Sequence, residues 1–179
     1  VEGRFGTNPI CFGFPGDPHP IIWDIGTSTI MHAEVMLARR LGQNLPEGRA
    51  LNADGQPTVD PNEAMRGAFT AWGGHKGSGL GLMVQLLGVH AGSEGMTDDM
   101  GGFGMTIVAM KADLFGDGEA AKQRINQYAN DVRTARPADP ASPVRMPFDR
   151  SYSEREKVRA SGGFEVNDEI VAKLRAFLA

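Results

Sequence analysis

Cysteine is nearly absent from this sequence: Cys11 is the only one in 179 residues. No intrachain disulfide can form, which argues against a small fold stapled for an oxidising compartment. Cys11 lies in an apolar run and reads as a buried, inert thiol. A basic excess is also missing, with 18 Lys and Arg against 22 Asp and Glu and a formal net charge of −4. That balance argues against a nucleic-acid partner. Any anionic ligand must therefore be met by backbone amides and a few local cations. There is no apolar stretch long enough to span a bilayer and no secretory signal, so the expectation is a cytoplasmic protein with no membrane partner. The chain starts at Val1 without methionine, and Val1-Glu2-Gly3-Arg4 reads as a processed terminus or the second half of a cut chain.

Several catalytic and binding signatures are missing too. The four histidines, at 19, 32, 75 and 90, show no metal-ligand spacing, and Asp98-Asp99 lacks the oxygen-ligand pattern of an EF-hand. No metal is expected. There is no Gly-x-Ser-x-Gly elbow, and Cys11 has only His19 near it in sequence, beyond a turn, so nucleophilic hydrolysis has no support. Neither a P-loop nor a strand-borne Gly-x-Gly-x-x-Gly occurs.

What is present is an ordinary globular composition, 41% hydrophobic and 22% charged, enough to build a core. Asn8 to Phe14 and Pro20 to Asp24 read as strands around a Pro15-Gly16-Asp17-Pro18 turn. Hydroxyls in Gly26-Thr27-Ser28-Thr29 offer N-caps for a helix carrying Ile30, Ala33, Met36, Leu37 and Leu41, ending near Gly42. Residues 43–72 are loop-rich, with a turn at Ala53-Asp54-Gly55 and a short helix opened by Asp60-Pro61. An apolar helix follows the glycine cluster and runs to about Ala91. Gly104 to Lys111 reads as a buried strand, and Ala120 to Thr134 as an amphipathic helix. A proline-rich irregular stretch occupies Ala135 to Asp149, and Asn167 caps a last helix carrying Ile170, Val171, Leu174 and Leu178. Strands and helices are intermixed, so the fold class is α/β or α+β.

The strongest chemical feature is Gly73-Gly74-His75-Lys76-Gly77-Ser78-Gly79-Leu80-Gly81. Closely spaced glycines let backbone N–H groups converge on an oxyanion, a helix start adds its dipole, and Lys76 adds a full charge. The same spacing also suits a glycine loop packed closely between elements. Asp24-Ile25-Gly26-Thr27-Ser28 runs from a strand end into a helix N-terminus, a common place for a ligand and equally a place for simple capping. His32 and Glu34 stand two positions apart on a helix and face different ways, so they serve separate roles. Arg150, Arg155, Lys157 and Arg159 alternate with Asp149, Glu154 and Glu156, the pattern of a solvated face, with Asp149 or Arg150 available to a ribose.

Gly6-Thr7-Asn8-Pro9-Ile10, Asp24-Ile25-Gly26-Thr27-Ser28, Leu45-Pro46-Glu47-Gly48, Ala53-Asp54-Gly55-Gln56-Pro57-Thr58-Val59-Asp60-Pro61 and Gly74-His75-Lys76-Gly77 follow in order along the chain. In that order and spacing they resemble the malate/L-lactate dehydrogenase family of the non-Rossmann type. The resemblance implies a homodimeric enzyme moving hydride between NAD or NADP and C2 of a small-molecule substrate, a 2-hydroxy, 2-oxo or imino acid. It implies a cofactor domain with a mixed, largely antiparallel sheet flanked by helices, over 1–136, and a helical C-terminal segment, 137–179, packing on an N-terminal domain. By the same resemblance Gly26, Thr27, Ser28, His75, Lys76 and Gly77 contact cofactor, with Asp149 and Arg150 near a late cofactor segment. Thr7 and His32 match substrate-side positions, and Glu34 stands where some members carry an acid tied to the catalytic histidine. That histidine and the substrate-binding arginine belong to the half preceding Gly6, so the chain is expected to hold cofactor without its proton donor. The alternative is a non-catalytic anion- or nucleotide-binding module built on Gly73–Gly77.

Overall fold

The computed structural model of the chain describes residues 1–4, 6–95 and 102–178. The Asp98-Asp99 pair lies outside the described residues. The chain divides into two compact units, Val1–Phe12 with Trp23–Leu114 and Gly13–Ile22 with Phe115–Ala179. It is a mixed α/β structure of helices and small sheets, as the intermixed pattern predicts.

Strands β1 (Ile10–Phe14) and β2 (Ile21–Ile25) form a two-stranded sheet. The link between them, residues 15–20, is too short for a parallel crossover, so the pair is antiparallel. Cys11 is exposed, contrary to the expectation of a buried thiol. It sits on a strand of a two-stranded sheet, where nearly every β1 position is open to solvent.

In the first unit, helix α1 (His32–Leu41) ends where glycine predicts. Gly42 adopts the left-handed conformation at φ 63° and its amide returns to the carbonyls of Ala38 and Arg39. Its start and its inward face differ from the sequence expectation. No hydroxyl caps it; the helix is preceded by Met31, whose amide donates to Glu34 Oε2 at 2.7 Å. Val35 is the fully buried residue, whereas Leu37 and Leu41 are exposed. Val35 packs with Ile30, Leu45, Ala50 and Ala64 in the core.

Strand β3 (Ala50–Leu51) lies between β4 (Pro57–Thr58) and β5 (Ala68–Phe69), antiparallel to both, with Ala50 opposite Thr58 and Phe69. Two-residue strands are too short to show alternation, and so this part of the sequence reads as loop. The turn at 52–56 is drawn tight by Asn52 Oδ1, which accepts the amides of Asp54 at 3.0 Å and Gln56 at 2.9 Å. Helix α2 (Pro61–Ala64) opens as expected, with Asp60 Oδ1 accepting the Asn62 amide at 2.7 Å.

Helix α3 (His75–His90) is apolar on every side, and Leu82, Met83, Leu86 and Leu87 are each about half exposed. The strand expected over Gly104–Lys111 does not form. Met105, Ile107 and Val108 are at least three-quarters exposed. β-Branched residues favour an extended chain, but a ladder needs a neighbouring edge, and none meets this segment among the described residues. Its backbone passes so close to α3 that a Cβ on Gly104 would overlap the Gly88 carbonyl. The close approach requires glycine at 104, whereas a Cβ on Gly88 would make only ordinary contacts.

The second unit contains α4 (Gly118–Arg133), α5 (Asp149–Ser161) and α6 (Asp168–Phe177). Asp117 and Asn167 cap α4 and α6 through their side-chain oxygens. Helix α5 has no buried residue and carries the Lys157–Glu154 and Arg159–Glu156 pairs, a solvated face as its charge alternation predicts. Its helical state has no apolar period to announce it, and the sequence reading leaves it without an element. Among the described residues no helix is long and apolar enough to cross a membrane.

Candidate functional site

Three segments of the first unit converge at the start of α3. The chain enters from β5 through Trp72 and turns on two successive left-handed glycines, Gly73 at φ 65° and Gly74 at φ 62°. Gly74 has ψ −129°, a conformation open to glycine alone. The turn lets the helix begin at once: the Ser78 amide donates to the Gly74 carbonyl at 2.9 Å. The amides of His75, Lys76 and Gly77 precede that first helical bond and have no partner within the helix. A Cβ on Gly77 would overlap the Trp72 carbonyl oxygen, so the loop and the helix touch where only glycine fits.

Beside this turn lies the segment that follows β2. The Trp72 amide donates to the Thr27 carbonyl at 2.9 Å, and Ser28 and Ala71 form an isolated antiparallel bridge. Thr7 is brought to the same place, because its carbonyl accepts the Thr27 amide at 2.8 Å and the Thr27 hydroxyl at 3.2 Å. Gly26 is constrained as Gly77 is: a Cβ there would overlap Met31 Sδ and lie 3.2 Å from the Thr7 carbonyl. The structure therefore joins Thr7, Gly26, Thr27, Ser28 and Gly73–Gly77, which the sequence places up to 70 positions apart.

The polar groups divide into those already engaged and those open. Thr27 is buried and its hydroxyl is spent on Thr7. Ser28 Oγ donates to the Ile30 carbonyl at 2.6 Å. These hydroxyls shape the turn instead of capping α1. His75 and Lys76 are exposed, and among the described residues neither has a hydrogen-bond or ion-pair partner. The open set is thus the amides of His75 and Lys76, an imidazole and an ammonium, with no carboxylate bonded to any of them among the described residues; Gly77 is buried. It can hold an oxyanion and has nothing with which to hold a cation. Among the described residues no group of His, Cys, Asp and Glu could bind a metal.

Trp72, which the sequence reading does not single out, is 48% exposed beside the cradle and meets Trp23 edge-on at 6.5 Å between ring centres. Phe12 stacks on Trp23 at 6.0 Å. An exposed indole at an anion cradle offers a face to a planar ring. The signal available in the sequence was an aromatic residue directly before the glycine pair.

No hydrogen bond joins the other proposed site residues to this cluster among the described residues. The His32 ring lies 6.4 Å from that of Phe69. Glu34 lines a cavity of about 330 Å³ with Thr29, Leu37, Asn44 and Arg49, and Lys76 takes no part in that lining. In the second unit, Asp149 is held by Arg133, whose Nε and Nη2 reach its two oxygens at 2.8 Å each. Asp149 Oδ2 also accepts the Met146 amide at 2.9 Å. The Arg133 hydrogen bonds, with help from that amide, outweigh partial burial and hold the carboxyl below the usual carboxylate range. Arg150, next in sequence, is exposed and has no hydrogen-bond or ion-pair partner among the described residues. Phe148, just before α5, has φ 68°, unusual for a non-glycine residue.

A mixed α/β scaffold of small antiparallel sheets, with a glycine turn opening a helix and without the dinucleotide fingerprint, defines a domain of non-Rossmann class. The chain belongs to the malate/L-lactate dehydrogenase family, whose model matches residues 1–175. It is 38% identical over 165 residues to a Δ1-pyrroline-2-carboxylate/Δ1-piperideine-2-carboxylate reductase of Pseudomonas putida, covering 88% of this chain and 48% of that one. It is 29% identical over 182 residues to the L-sulfolactate dehydrogenase of Methanocaldococcus jannaschii, covering 97% and 52%. Among solved structures, a dehydrogenase from Sinorhizobium meliloti matches with a TM-score of 0.82 and 29% identity, over 99% of this chain and 54% of that one. The chain spans about half the length of the curated relatives it matches.

Proposed function

We propose that this chain is the cofactor-holding part of an oxidoreductase that transfers hydride between NAD or NADP and C2 of a small 2-hydroxy acid, 2-oxo acid or cyclic imino acid. The observation that carries this reading is the cradle itself. The amides of the exposed His75 and Lys76 precede the first helical bond beside an unpaired Lys76 ammonium, where Thr7, Gly26, Thr27 and Ser28 are drawn together. The names of the relatives support the reaction class, since they are reductases of cyclic imino acids and dehydrogenases of hydroxy acids.

The bound nicotinamide would supply the hydride. The chain's own residues bind and orient. Lys76 and the amides of His75 and Lys76 hold a phosphate or ribose oxygen, and Gly26 and Gly77 let backbone approach closely. Trp72 shields one side. Thr7 and His32 are assigned to the substrate side, and Glu34, held through Oε2 by the Met31 amide, keeps Oε1 for a partner such as a catalytic histidine. Arg150 is assigned to the cofactor, with Asp149 in support. The family resemblance puts the proton donor before Gly6, in sequence outside these residues. The reading also includes homodimer assembly, a cytoplasmic setting and the packing of 137–179 on an N-terminal domain.

The test is titration of the chain with NADH and NADPH, followed by nicotinamide fluorescence and calorimetry. It is joined to turnover assays of a full-length protein carrying the preceding half, over a panel of 2-oxo and cyclic imino acids. Saturable binding with substrate-dependent oxidation of the reduced cofactor is expected. Binding without any turnover in the full-length form would leave the anion-binding module as the function.

A further inference from the structure

We infer that Asn8 is a positioning residue, an amide lock that fixes the spacing between the turn at 26–28 and the start of α3; its link to cofactor rests on the function proposed above. Asn8 is a non-glycine residue at φ 34°, and it precedes Pro9. A following proline biases a residue toward extended backbone, so this conformation is held against the local preference. Asparagine is among the few residues that enter positive φ with any frequency.

What holds it there is visible on α3. Asn8 Nδ2 donates to the Gly81 carbonyl at 2.8 Å and to Gln85 Oε1 at 3.0 Å. Gly81 and Gln85 are four positions apart and share one face of the helix. A single amide group therefore grips α3 across one turn, from a residue 73 positions earlier in the chain. The neighbouring Thr7 carbonyl takes both the amide and the hydroxyl of Thr27. Residues 7 and 8 are thus a two-sided staple, with the 26–28 turn on one side and α3 on the other. The cradle at 74–77 lies at the head of that same helix. Sliding or rotating α3 would move the His75 and Lys76 amides and the Lys76 ammonium relative to Thr27, and the staple opposes that motion. Neither a leucine nor an alanine at this position would supply the donor. Aspartate would present only acceptors to two acceptors.

The experiment compares Asn8→Gly, Asn8→Ala and Gln85→Leu with the parent chain, alone and combined with Lys76→Ala. Asn8→Gly keeps access to positive φ while removing the amide, so it separates the lock from backbone strain. Two quantities are read: affinity for NADH and NADPH by nicotinamide fluorescence, and hydrogen exchange of the α3 amides from Ser78 to Gly81. Asn8→Gly and Asn8→Ala should each weaken binding about tenfold, and Gln85→Leu about threefold, sizes typical of a lost hydrogen bond to a part-buried group. With Lys76→Ala in place the added loss should fall below about twofold, because the two residues act through one contact. Exchange at Ser78 should quicken about fivefold in Asn8→Gly. Parental affinity in Asn8→Gly, or losses fully additive with Lys76→Ala, would overturn the positioning role. If the parent itself binds neither cofactor, the functional reading fails, and the exchange rates alone decide for Asn8. Unchanged protection at Ser78 in Asn8→Gly would then overturn the lock.

Discussion

The Trp72 amide donates to the Thr27 carbonyl at 2.9 Å, and the Trp72 carbonyl lies where a Cβ on Gly77 would stand. One peptide plane on each side of Trp72 therefore ties the post-β2 turn to the first turn of α3. Gly77→Ala should force the loop from the helix, with a stability loss of about 1–3 kcal/mol, typical of overpacking. NADPH or NADH affinity should fall with it. Urea denaturation and a binding titration check both, and an alanine variant with parental values of each would contradict the close approach.

Lys76→Ala removes the one full charge of the cradle without touching its backbone. Affinity for the reduced cofactor should fall on the order of tenfold, as for a lost charged hydrogen bond. The salt dependence of binding should flatten, since an exposed cation is screened. In a full-length enzyme the apparent cofactor KM should rise more than saturated turnover falls. Equal KM in variant and parent would remove Lys76 from the site.

In the second unit, the Arg133–Asp149 pair should make stability depend on acid pH. Asp149 has a folded pKa below its unfolded value. Its contribution is therefore present above the ordinary carboxylate range, near pH 4, and is lost as pH falls through the lower folded value. Arg133→Ala should remove most of that dependence, leaving the smaller part owed to the Met146 amide. A carbon-detected titration of the Asp149 carboxyl, with thermal melts between about pH 2 and 6, reads the two effects. An Asp149 midpoint unchanged by Arg133→Ala would refute the pairing.

Val35 is fully buried between α1 and the core residues Ile30, Leu45, Ala50 and Ala64. Val35→Ala should cost about 2 kcal/mol, from lost apolar burial and the void left behind. Leu37→Ala, on the exposed side of α1, should cost well under half of that. Chemical denaturation of the two variants tests the orientation of the helix directly.

The parts of the fold that follow local rules were legible in the sequence. Gly42 ends α1, Asp60 and Pro61 open α2, and Asn167 caps α6, each through a bond spanning a few residues. The turn at Gly73 and Gly74 was legible for the same reason, but α3 begins at His75, inside the glycine cluster that the sequence sets before the helix. What depended on distant partners was not. Val35 is buried because Ile30, Leu45, Ala50 and Ala64 come together around it, and the 104–111 segment stays unpaired because no strand edge meets it among the described residues. Helix α5 has no apolar period to read. The hydroxyls of Thr27 and Ser28 looked like caps, yet Thr27 turns toward Thr7 and Ser28 toward Ile30. Nothing in a local window shows that Asn8 reaches Gly81.

Helix α3 carries Gly77, Gly79, Gly81 and Gly88, each about 1 kcal/mol less favourable in a helix than alanine. Its order is borrowed from what touches it, and its first turn is both the cradle and the end most prone to fray. Filling the cradle with an anion should therefore wind the helix as well as occupy it. Ligand binding at Lys76 would then be felt as slowed amide exchange along the whole of 75–90, a folding transition in miniature whose heat capacity change travels with the affinity.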